Sequence, residues 1–291
     1  MDSVALTPNI IVRENINFGL DGSIPKYWYL SDPFKTRLFD SMHLTFPEGE
    51  RFFMTSVRAF RNRIQDKELL QQVKDFTKQE GQHGIAHTQY HSVLAAQGLP
   101  VTEMLAANTA MLNGYLKNYS PEFNVALTAA FEHFTGLLAE TFFSHDETTK
   151  GMDDRIRALM AWHAMEEMEH KSVAYDVMIQ IAGVGYWKRT LALGVAMWQV
   201  RRMMFGYTNQ LLKEDGFSWL QRKALLVKNI RWMFGRRGVL AMRFSHFFAY
   251  LKPGFHPNDI PTIPGYYTWL SEYQRSADPQ AALKAMFEKT A

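Results

Sequence analysis

The chain has 291 residues, of which 47% are hydrophobic and 21% are charged, so it is long enough and apolar enough to bury a core of its own. It contains no cysteine, which excludes disulfides, thiolate nucleophiles and zinc–thiolate sites and leaves nitrogen and oxygen as the only metal ligands. The net charge of +3 conceals an asymmetry, because residues 186–256 carry thirteen Lys and Arg against only Glu214 and Asp215. We therefore expect two functionally different parts, residues 1–185 and residues 186–291.

No segment has the pattern of an export signal or a membrane span. The first sixteen residues lack a basic start followed by a long apolar run. The longest apolar run, from Leu191 to Val200, covers only about 15 Å of a hydrocarbon layer roughly 30 Å thick. We therefore expect a cytoplasmic protein.

Helical periodicity recurs along the chain and strand patterns are nearly absent, which predicts an all-α protein. Asp32-Pro33 has the form of an N-cap with a first-turn proline and predicts an early helix. The capping-box pattern of Thr45 and Glu48 predicts a second helix from about Pro47 to Ile64.

Three further segments complete the first part of the chain. Asp66 predicts the start of a long helix that ends at Gly98, and residues 101–119 form a connection with a short helix of its own. Ser120-Pro121 opens the next helix, and Asp153 or Asp154 opens another that extends to about Gly183. Two helical hairpins joined by a long crossover predict a ferritin-like four-helix bundle.

The remaining third of the sequence, residues 186–291, is predicted to form additional C-terminal helices. Glycines at four positions are expected to break them, namely Gly206, Gly216, Gly235 and Gly238. A proline-punctuated tail follows from Pro253 to Pro264.

Ionisable side chains fall on the apolar faces of four predicted helices, because residues three, four and seven apart share one side of a helix. A Glu is followed about thirty residues later by Glu-x-x-His, and the same arrangement occurs twice. In each pair of consecutive helices, the Glu on the first helix and the Glu-x-x-His on the second are about equally far from the turn between them. The ligands of such a helical hairpin are therefore predicted to lie at the same height along the bundle. The predicted metal ligands are Glu50, Glu80, His83, Glu132, Glu167 and His170.

The four inward carboxylates carry four negative charges, and no Lys or Arg lies on the same faces to pair with them. Isolated buried charges are costly, whereas two divalent cations neutralise all four. Two Glu and two Glu-x-x-His motifs are the ligand set of di-iron and di-manganese carboxylate bundles. The alternative is a buried network of hydrogen-bonded Glu and His that fixes the helix register.

Two histidines one turn away have open roles. His163 precedes Glu167 by one turn and either binds a metal as a third imidazole or supports a ligand. His87 follows His83 by one turn and is interpreted as a supporting group or proton relay. Five nearby residues are interpreted as surface charges or satisfied polar contacts, namely Glu166, Glu169, His133, His91 and Glu140.

The segments that carry these residues also resemble a known bacterial family. FPEGERFF, QEGQHGIAH, FEHFTGLLAE and WHAMEEMEHKSVAYDV are similar to the family described as predicted metal-dependent hydrolase. The pattern of His163, Glu167 and His170 is similar to the seven-ligand di-iron site of the p-aminobenzoate N-oxygenase type, a likeness of the site alone. The first resemblance implies hydrolysis and the second implies oxidation.

The ligand chemistry favours an oxidoreductase. Carboxylates and imidazoles suit iron, with manganese or a mixed Fe/Mn pair as alternatives, and open positions on such ions suit dioxygen as co-substrate. The main hypothesis is therefore an oxidase or oxygenase acting on a small organic substrate, with an external electron donor. The alternatives are a hydrolase that uses a metal-bound water, with His87 moving protons, and a non-enzymatic iron-binding protein.

The C-terminal part is rich in aromatic as well as basic residues. Residues 186–256 predict peripheral contact with the inner membrane surface, or an entrance for an acidic or lipid-like substrate. The alternative is a solvated basic face over an ordinary core. No nucleic-acid-binding module is present, so no nucleic-acid partner is expected, and the sequence gives no indication of oligomeric state.

Overall fold

The computed structural model describes residues 8–288 and consists of helices joined by short irregular segments. No strand occurs within these residues, so the all-α prediction is confirmed. The first seven residues, which belong to the stretch examined for an export signal, and the last three, which belong to the predicted C-terminal part, lie outside the description.

The helices of the chain are bounded as follows. The first eight are α1 (Pro33–His43), α2 (Phe46–Arg58), α3 (Lys67–Ala96), α4 (Val101–Asn118), α5 (Pro121–Phe143), α6 (Asp146–Thr149), α7 (Asp154–His170) and α8 (Val173–Asp176). The others are α9 (Tyr186–Glu214), α10 (Trp219–Phe234), α11 (Phe244–Ala249), α12 (Tyr266–Ser276) and α13 (Pro279–Glu288).

Four predicted helix starts are confirmed by their caps. The side chains of Asp32, Asp66, Ser120 and Asp153 accept hydrogen bonds from backbone N–H groups at the starts of α1, α3, α5 and α7. Each cap satisfies donors that have no partner inside the helix, which fixes where the helix begins.

The capping box predicted at Thr45 is wrong. Thr45 has helical backbone angles, so its side chain caps no N–H group and instead donates to the carbonyl of Met42. The predicted end at Ile64 is also wrong, because α2 ends at Arg58 and a separate 3₁₀ turn spans Arg61–Arg63.

Three other predictions need correction. The connection after Pro100 is an 18-residue helix, α4, rather than a short one. The helix predicted to reach Gly183 ends at His170 and continues as α8 and a π-helical turn over Val177–Ile181. Gly206 does not break α9, because a glycine inside a helix costs only about 1 kcal/mol, which the helix's buried leucines outweigh.

The four ligand-bearing helices pack around a common interior. Helix α2 contacts α3 and α5, and α7 contacts α3 and α5, so each helix touches two of the others. The ferritin-like topology remains a prediction.

Helix α9 joins the predicted C-terminal part to the rest of the protein by packing on α1 and α5. One hydrophobic cluster includes Phe39 and Trp162 together with Met204, Leu211 and Trp269, so residues on both sides of position 185 share a core. The boundary itself remains a prediction. Within residues 8–288, every helix is too short or too polar to cross a bilayer.

Candidate metal centre

Seven ionisable side chains meet between α2, α3, α5 and α7, and all are buried. Helix α2 contributes Glu50, α3 contributes Glu80 and His83, and α5 contributes Glu132. Helix α7 contributes the remaining three from one face, namely His163, Glu167 and His170. The spacing of three and four residues places several of these groups on the inner side of one helix.

Three overlapping groups of these side chains could each hold a metal ion. The ligand atoms of Glu50, His83 and His163 lie within 4.8 Å of one another. So do those of Glu80, Glu132 and His170, and those of Glu80, His83 and Glu167. Since the third group shares members with the other two, the seven residues form one continuous cluster.

Eight buried atoms of this cluster have no hydrogen-bond partner within the described residues. They are both carboxylate oxygens of Glu50, Glu80 and Glu132, together with His83 Nδ1 and His170 Nε2. His170 Nε2 lies 3.2 Å from Glu80 Oε1 but without the alignment of a hydrogen bond. Buried polar atoms are rarely left unpaired, and these are all metal-ligand atoms, so the residues fit a cationic metal.

The pKa values of the four carboxyl groups are shifted in opposite directions. Burial and the neighbouring carboxylates raise the pKa values of Glu50, Glu80 and Glu132 well above the usual value. Burial would also raise the pKa of Glu167, but the neighbouring imidazoles of His163 and His170 outweigh it and hold that pKa well below its usual range. Divergent carboxyl pKa values in one buried cluster are typical of functional sites.

The orientation of His170 is fixed by Gln79. Gln79 Nε2 donates to Glu169 Oε2 at 2.7 Å and to the Ile11 carbonyl, which are both acceptors. The other amide atom, Oε1, therefore faces His170 Nδ1 at 2.8 Å and can only accept, so Nδ1 carries the proton. Nε2 of His170 is left with a free lone pair directed at the carboxylates, as metal ligation requires.

His83 is oriented in the same way by Glu166. His83 Nε2 lies 3.1 Å from Glu166 Oε2, while Glu166 Oε1 accepts from Arg13 Nη1 at 2.9 Å and Trp162 Nε1 at 2.8 Å. Burial and the adjacent His163 hold the pKa of His83 well below its usual value, so its imidazole is neutral. Proton donation from Nε2 then leaves Nδ1 free toward the cluster.

One arginine holds both supporting carboxylates. Arg13 Nη2 donates to Glu169 Oε1 at 2.7 Å, and Tyr266 Oη donates to the same oxygen at 2.6 Å. Arg13 therefore lies behind both ligand histidines. Glu166 and Glu169 are buried, so of their two interpretations the satisfied polar contact is right and the surface charge is wrong.

A row of three histidines extends from the cluster. His163 Nε2 lies 2.9 Å from Glu167 Oε1 and 4.0 Å from Glu50 Oε1, so it faces the carboxylates. His163 Nδ1 is 2.7 Å from His87 Nε2, and His87 Nδ1 is 2.9 Å from His43 Nδ1. His87 thus lies behind His163 rather than among the ligand atoms.

Two rings of the row, those of His43 and His87, are neutral near pH 7. Burial lowers the pKa of His43 to about 3 and that of His87 well below its usual value. Each neutral imidazole has one donor and one acceptor nitrogen, so such a row can carry a proton from ring to ring.

Three other residues were interpreted as surface charges or satisfied polar contacts, namely His91, Glu140 and His133, and they make ordinary polar and packing contacts. His91 Nε2 meets the carbonyl of His43, and Glu140 pairs with His246 at 2.8 Å and Arg243 at 3.2 Å. His133 packs against the ring of Tyr250.

Sequence reasoning missed the supporting groups Arg13, Gln79, His43 and Tyr266. Gln79 is fully buried and directly precedes Glu80 on α3. A polar residue beside a predicted ligand was the one signal in the sequence that could have identified it. Arg13 and Tyr266 lie in distant segments, and no local pattern links them to α7.

An apolar cavity of about 90 Å³ adjoins the cluster at Glu50, His163 and Glu167. It is larger than the roughly 15 Å³ that one water requires by the same measure. Its other walls come from α1, α2, α4, α5 and α9 and are mainly Met, Phe, Leu and Val side chains. The cavity can therefore admit a small apolar group beside the ligand atoms.

Comparison with known proteins identifies one family. Residues 12–260 match the profile of a family described as "Predicted metal-dependent hydrolase", and this range contains all seven clustered residues. No curated protein and no solved structure gives a significant match. The resemblance drawn from the four sequence segments is thereby confirmed.

Proposed function

Since this chain belongs to the predicted metal-dependent hydrolase family, we propose that it is a hydrolase with two divalent ions held between α2, α3, α5 and α7. The observation that carries the proposal is the convergence of seven ligand-type side chains, with eight unpaired atoms, beside an apolar cavity. The family description supports hydrolysis better than the oxidation that the ligand types alone favour.

The proposed ligand sets follow two of the three groups of side chains, which share no residue. Glu50, His83 and His163 would hold one ion, and Glu80, Glu132 and His170 would hold the other. Iron is proposed, with manganese or a mixed pair as alternatives, because carboxylate and imidazole donors suit these metals. When bound, such ions supply the Lewis acidity that polarises a substrate carbonyl and makes water nucleophilic at neutral pH.

The cavity supports an ester or amide substrate with an apolar acyl or leaving group. Its lining contains no Lys or Arg. The hydroxyl groups of Ser41 and Thr45 donate to the carbonyls of Leu38 and Met42 and are therefore occupied. An acidic substrate group would find no Lys or Arg in the cavity lining to pair with, so the lipid-like alternative is favoured over an acidic group at this position.

The histidine row supports proton transfer away from the cluster. A proton present on His163 Nδ1 faces His87 Nε2, and His87 Nδ1 faces His43. Because burial keeps the pKa values of His87 and His43 low, both rings are neutral, and each offers one donor and one acceptor nitrogen to its neighbour.

Metal analysis of matched variants tests the centre itself. Wild-type protein purified from iron- and manganese-supplemented cells should contain about two ions per chain. Glu132→Gln removes one unpaired carboxylate and should lower the content, whereas Glu140→Gln alters a buried Glu on the same helix outside the cluster and should not. Equal metal contents in the two variants would contradict the proposed site.

The reaction is tested separately with a chromogenic ester of a short fatty acid. Under the proposal, hydrolysis requires the bound metal, proceeds equally with and without oxygen, and is lost in Glu132→Gln but kept in Glu140→Gln. Metal binding without hydrolysis would refute the hydrolase assignment and leave the metal centre standing.

Oxidation of a small organic molecule is the second candidate, and one observation favours it. His163 joins Glu50 and His83, which gives four carboxylates and three imidazoles, the donor set of the seven-ligand oxygenase type. Fe(II) held there would supply electrons to dioxygen. Oxygen consumption by the ferrous protein with an added reductant, absent in Glu132→Gln, would favour this candidate, and iron binding without either activity would indicate a non-enzymatic protein.

A further inference from the structure

Exposed apolar side chains are concentrated in one stretch of the chain. Of the seventeen large apolar side chains that are exposed among residues 8–288, twelve lie between Tyr186 and Phe248. The same stretch holds most of the thirteen basic residues that made the C-terminal part distinctive. Exposed apolar surface of this extent usually marks an interaction site.

Helix α10 shows the arrangement most clearly. Leu220, Val227, Ile230 and Phe234 are exposed by 70%, 65%, 48% and 56%. Their spacings of seven, three and four residues place them on one side of the helix, and we call this set the α10 stripe. The opposite side of α10 faces the protein through Asn229 and Met233, which are buried.

The charges of α10 all have one sign. The helix carries Arg222, Lys223, Lys228 and Arg231 and no acidic residue, and Arg236 and Arg237 follow its end. Lys228 and Arg237 each pair with one carboxylate across the exposed surface, and such pairs are weak. The stripe is thus bordered by positive charge.

We propose that helix α10 docks the protein on an anionic lipid surface, with the α10 stripe inserted among the acyl chains and its basic residues at the phosphate level. The apolar stripe matches the acyl-chain layer of such a surface, and the Lys and Arg residues of the helix match its phosphate layer. A nucleic acid would pair with the basic residues but would leave four apolar side chains in water. The proposal does not depend on the reaction at the metal centre.

Vesicle sedimentation of the full-length, metal-loaded protein tests the proposal. The probes are vesicles of phosphatidylcholine alone and vesicles with about one third phosphatidylglycerol, at low and high salt. Binding is expected only to the anionic vesicles and should weaken as salt screens the charges. Failure to bind anionic vesicles at low salt would overturn the proposal.

Matched variants separate the apolar contribution from the charge. Ile230→Ser should weaken binding several-fold and Leu220→Ser/Val227→Ser/Ile230→Ser by at least about tenfold, because insertion removes apolar area from water. Ile85→Ser is the control, since Ile85 is equally exposed at 51% but lies on α3. Equal effects of Ile85→Ser and Ile230→Ser would refute docking through α10.

A second pair of variants tests the basic residues. Lys223→Gln/Arg231→Gln should weaken binding by about 25-fold, since each basic residue near an anionic surface contributes about fivefold. Lys74→Gln/Lys78→Gln on α3 removes two exposed charges elsewhere and should have little effect.

Two outcomes would assign the surface to another occupant. Binding to a DNA duplex that is as tight as vesicle binding, and is unchanged in the triple serine variant, would identify a polyanion site. A dimer in solution that the triple serine variant dissociates, without vesicle binding by the wild type, would identify a second copy of the chain. Circular dichroism and metal content should match the wild type in every variant, because the substituted side chains are exposed.

Discussion

Arg13 offers the sharpest test of how the centre is supported. Its guanidinium lies 2.9 Å from Glu166 and 2.7 Å from Glu169, and all three side chains are almost completely buried. Burial alone would lower the pKa of Arg13, but its bonds to Glu169 and Glu166 raise it, so the group stays charged. Arg13→Met keeps much of the apolar volume and leaves two buried carboxylates without their cation.

The expected loss of stability follows from this geometry. Removing one partner of a buried ion pair typically costs about 3 to 5 kcal/mol, because the remaining charge stays buried. In a chain of this size, such a loss lowers Tm by roughly 5 to 8 °C. Arg155→Met is the control: Arg155 pairs with Asp21 and Asp153 nearer the surface, and its loss should cost less than about 1 kcal/mol.

The assay has two independent readouts. Urea unfolding of the metal-free proteins measures the ion pairs alone, and competition with a chelator measures metal affinity. Arg13 holds Glu166, which orients His83, and Glu169, which accepts from the Gln79 amide that orients His170. Metal affinity should therefore fall by about 10- to 100-fold.

A rescue variant distinguishes lost charge balance from lost packing. Arg13→Met/Glu166→Gln/Glu169→Gln removes the uncompensated carboxylates and should recover most of the stability but not the metal affinity. If Arg13→Met unfolds within about 1 kcal/mol of the wild type and binds metal normally, the supporting role assigned to Arg13 is wrong.

Three further predictions concern the cluster, the row of histidines and the cavity. Metal-free protein should become more stable to urea as pH falls from 8 to 6.5. The pKa values of Glu50, Glu80 and Glu132 are raised by folding, so the folded state binds more protons than the unfolded state. The stability of the folded state is therefore lost as pH rises toward those pKa values. Below 6.5 the lowered pKa values of His43 and His87 oppose this trend, because the unfolded state then gains protons at those two side chains. A stability that rises steadily with pH from 6.5 to 8 would contradict the prediction. His87→Phe should keep the metal content but reduce turnover several-fold in a pH-dependent manner. His91→Phe is the control and should change neither metal content nor turnover. A wild-type pH profile for His87→Phe would exclude the proton relay. Val200→Trp narrows the cavity and should raise KM for esters of longer acids while leaving the metal content unchanged. An equal rise in KM for acetate esters would show that the cavity does not bind the acyl group.

Helical spacing is enough to place the seven clustered side chains on the inner faces of their helices. The spacing of Glu80 and His83, and of His163, Glu167 and His170, follows from the 3.6-residue helical period, which is a local property of the chain. The caps at Asp66, Ser120 and Asp153 are equally local, since each side chain bonds to its own first turn. For these reasons the seven clustered residues and the starts of α3, α5 and α7 were predictable.

The groups that hold those side chains in place come from distant segments of the chain. Arg13 reaches Glu166 and Glu169 across more than 150 residues, and Tyr266 reaches Glu169 across 97. Such bonds require atoms placed within a few tenths of an ångström by packing, which no periodicity encodes. Helix ends depended on packing in the same way, as Thr45 shows, because its backbone angles are set by the close succession of α1 and α2 rather than by its own sequence pattern.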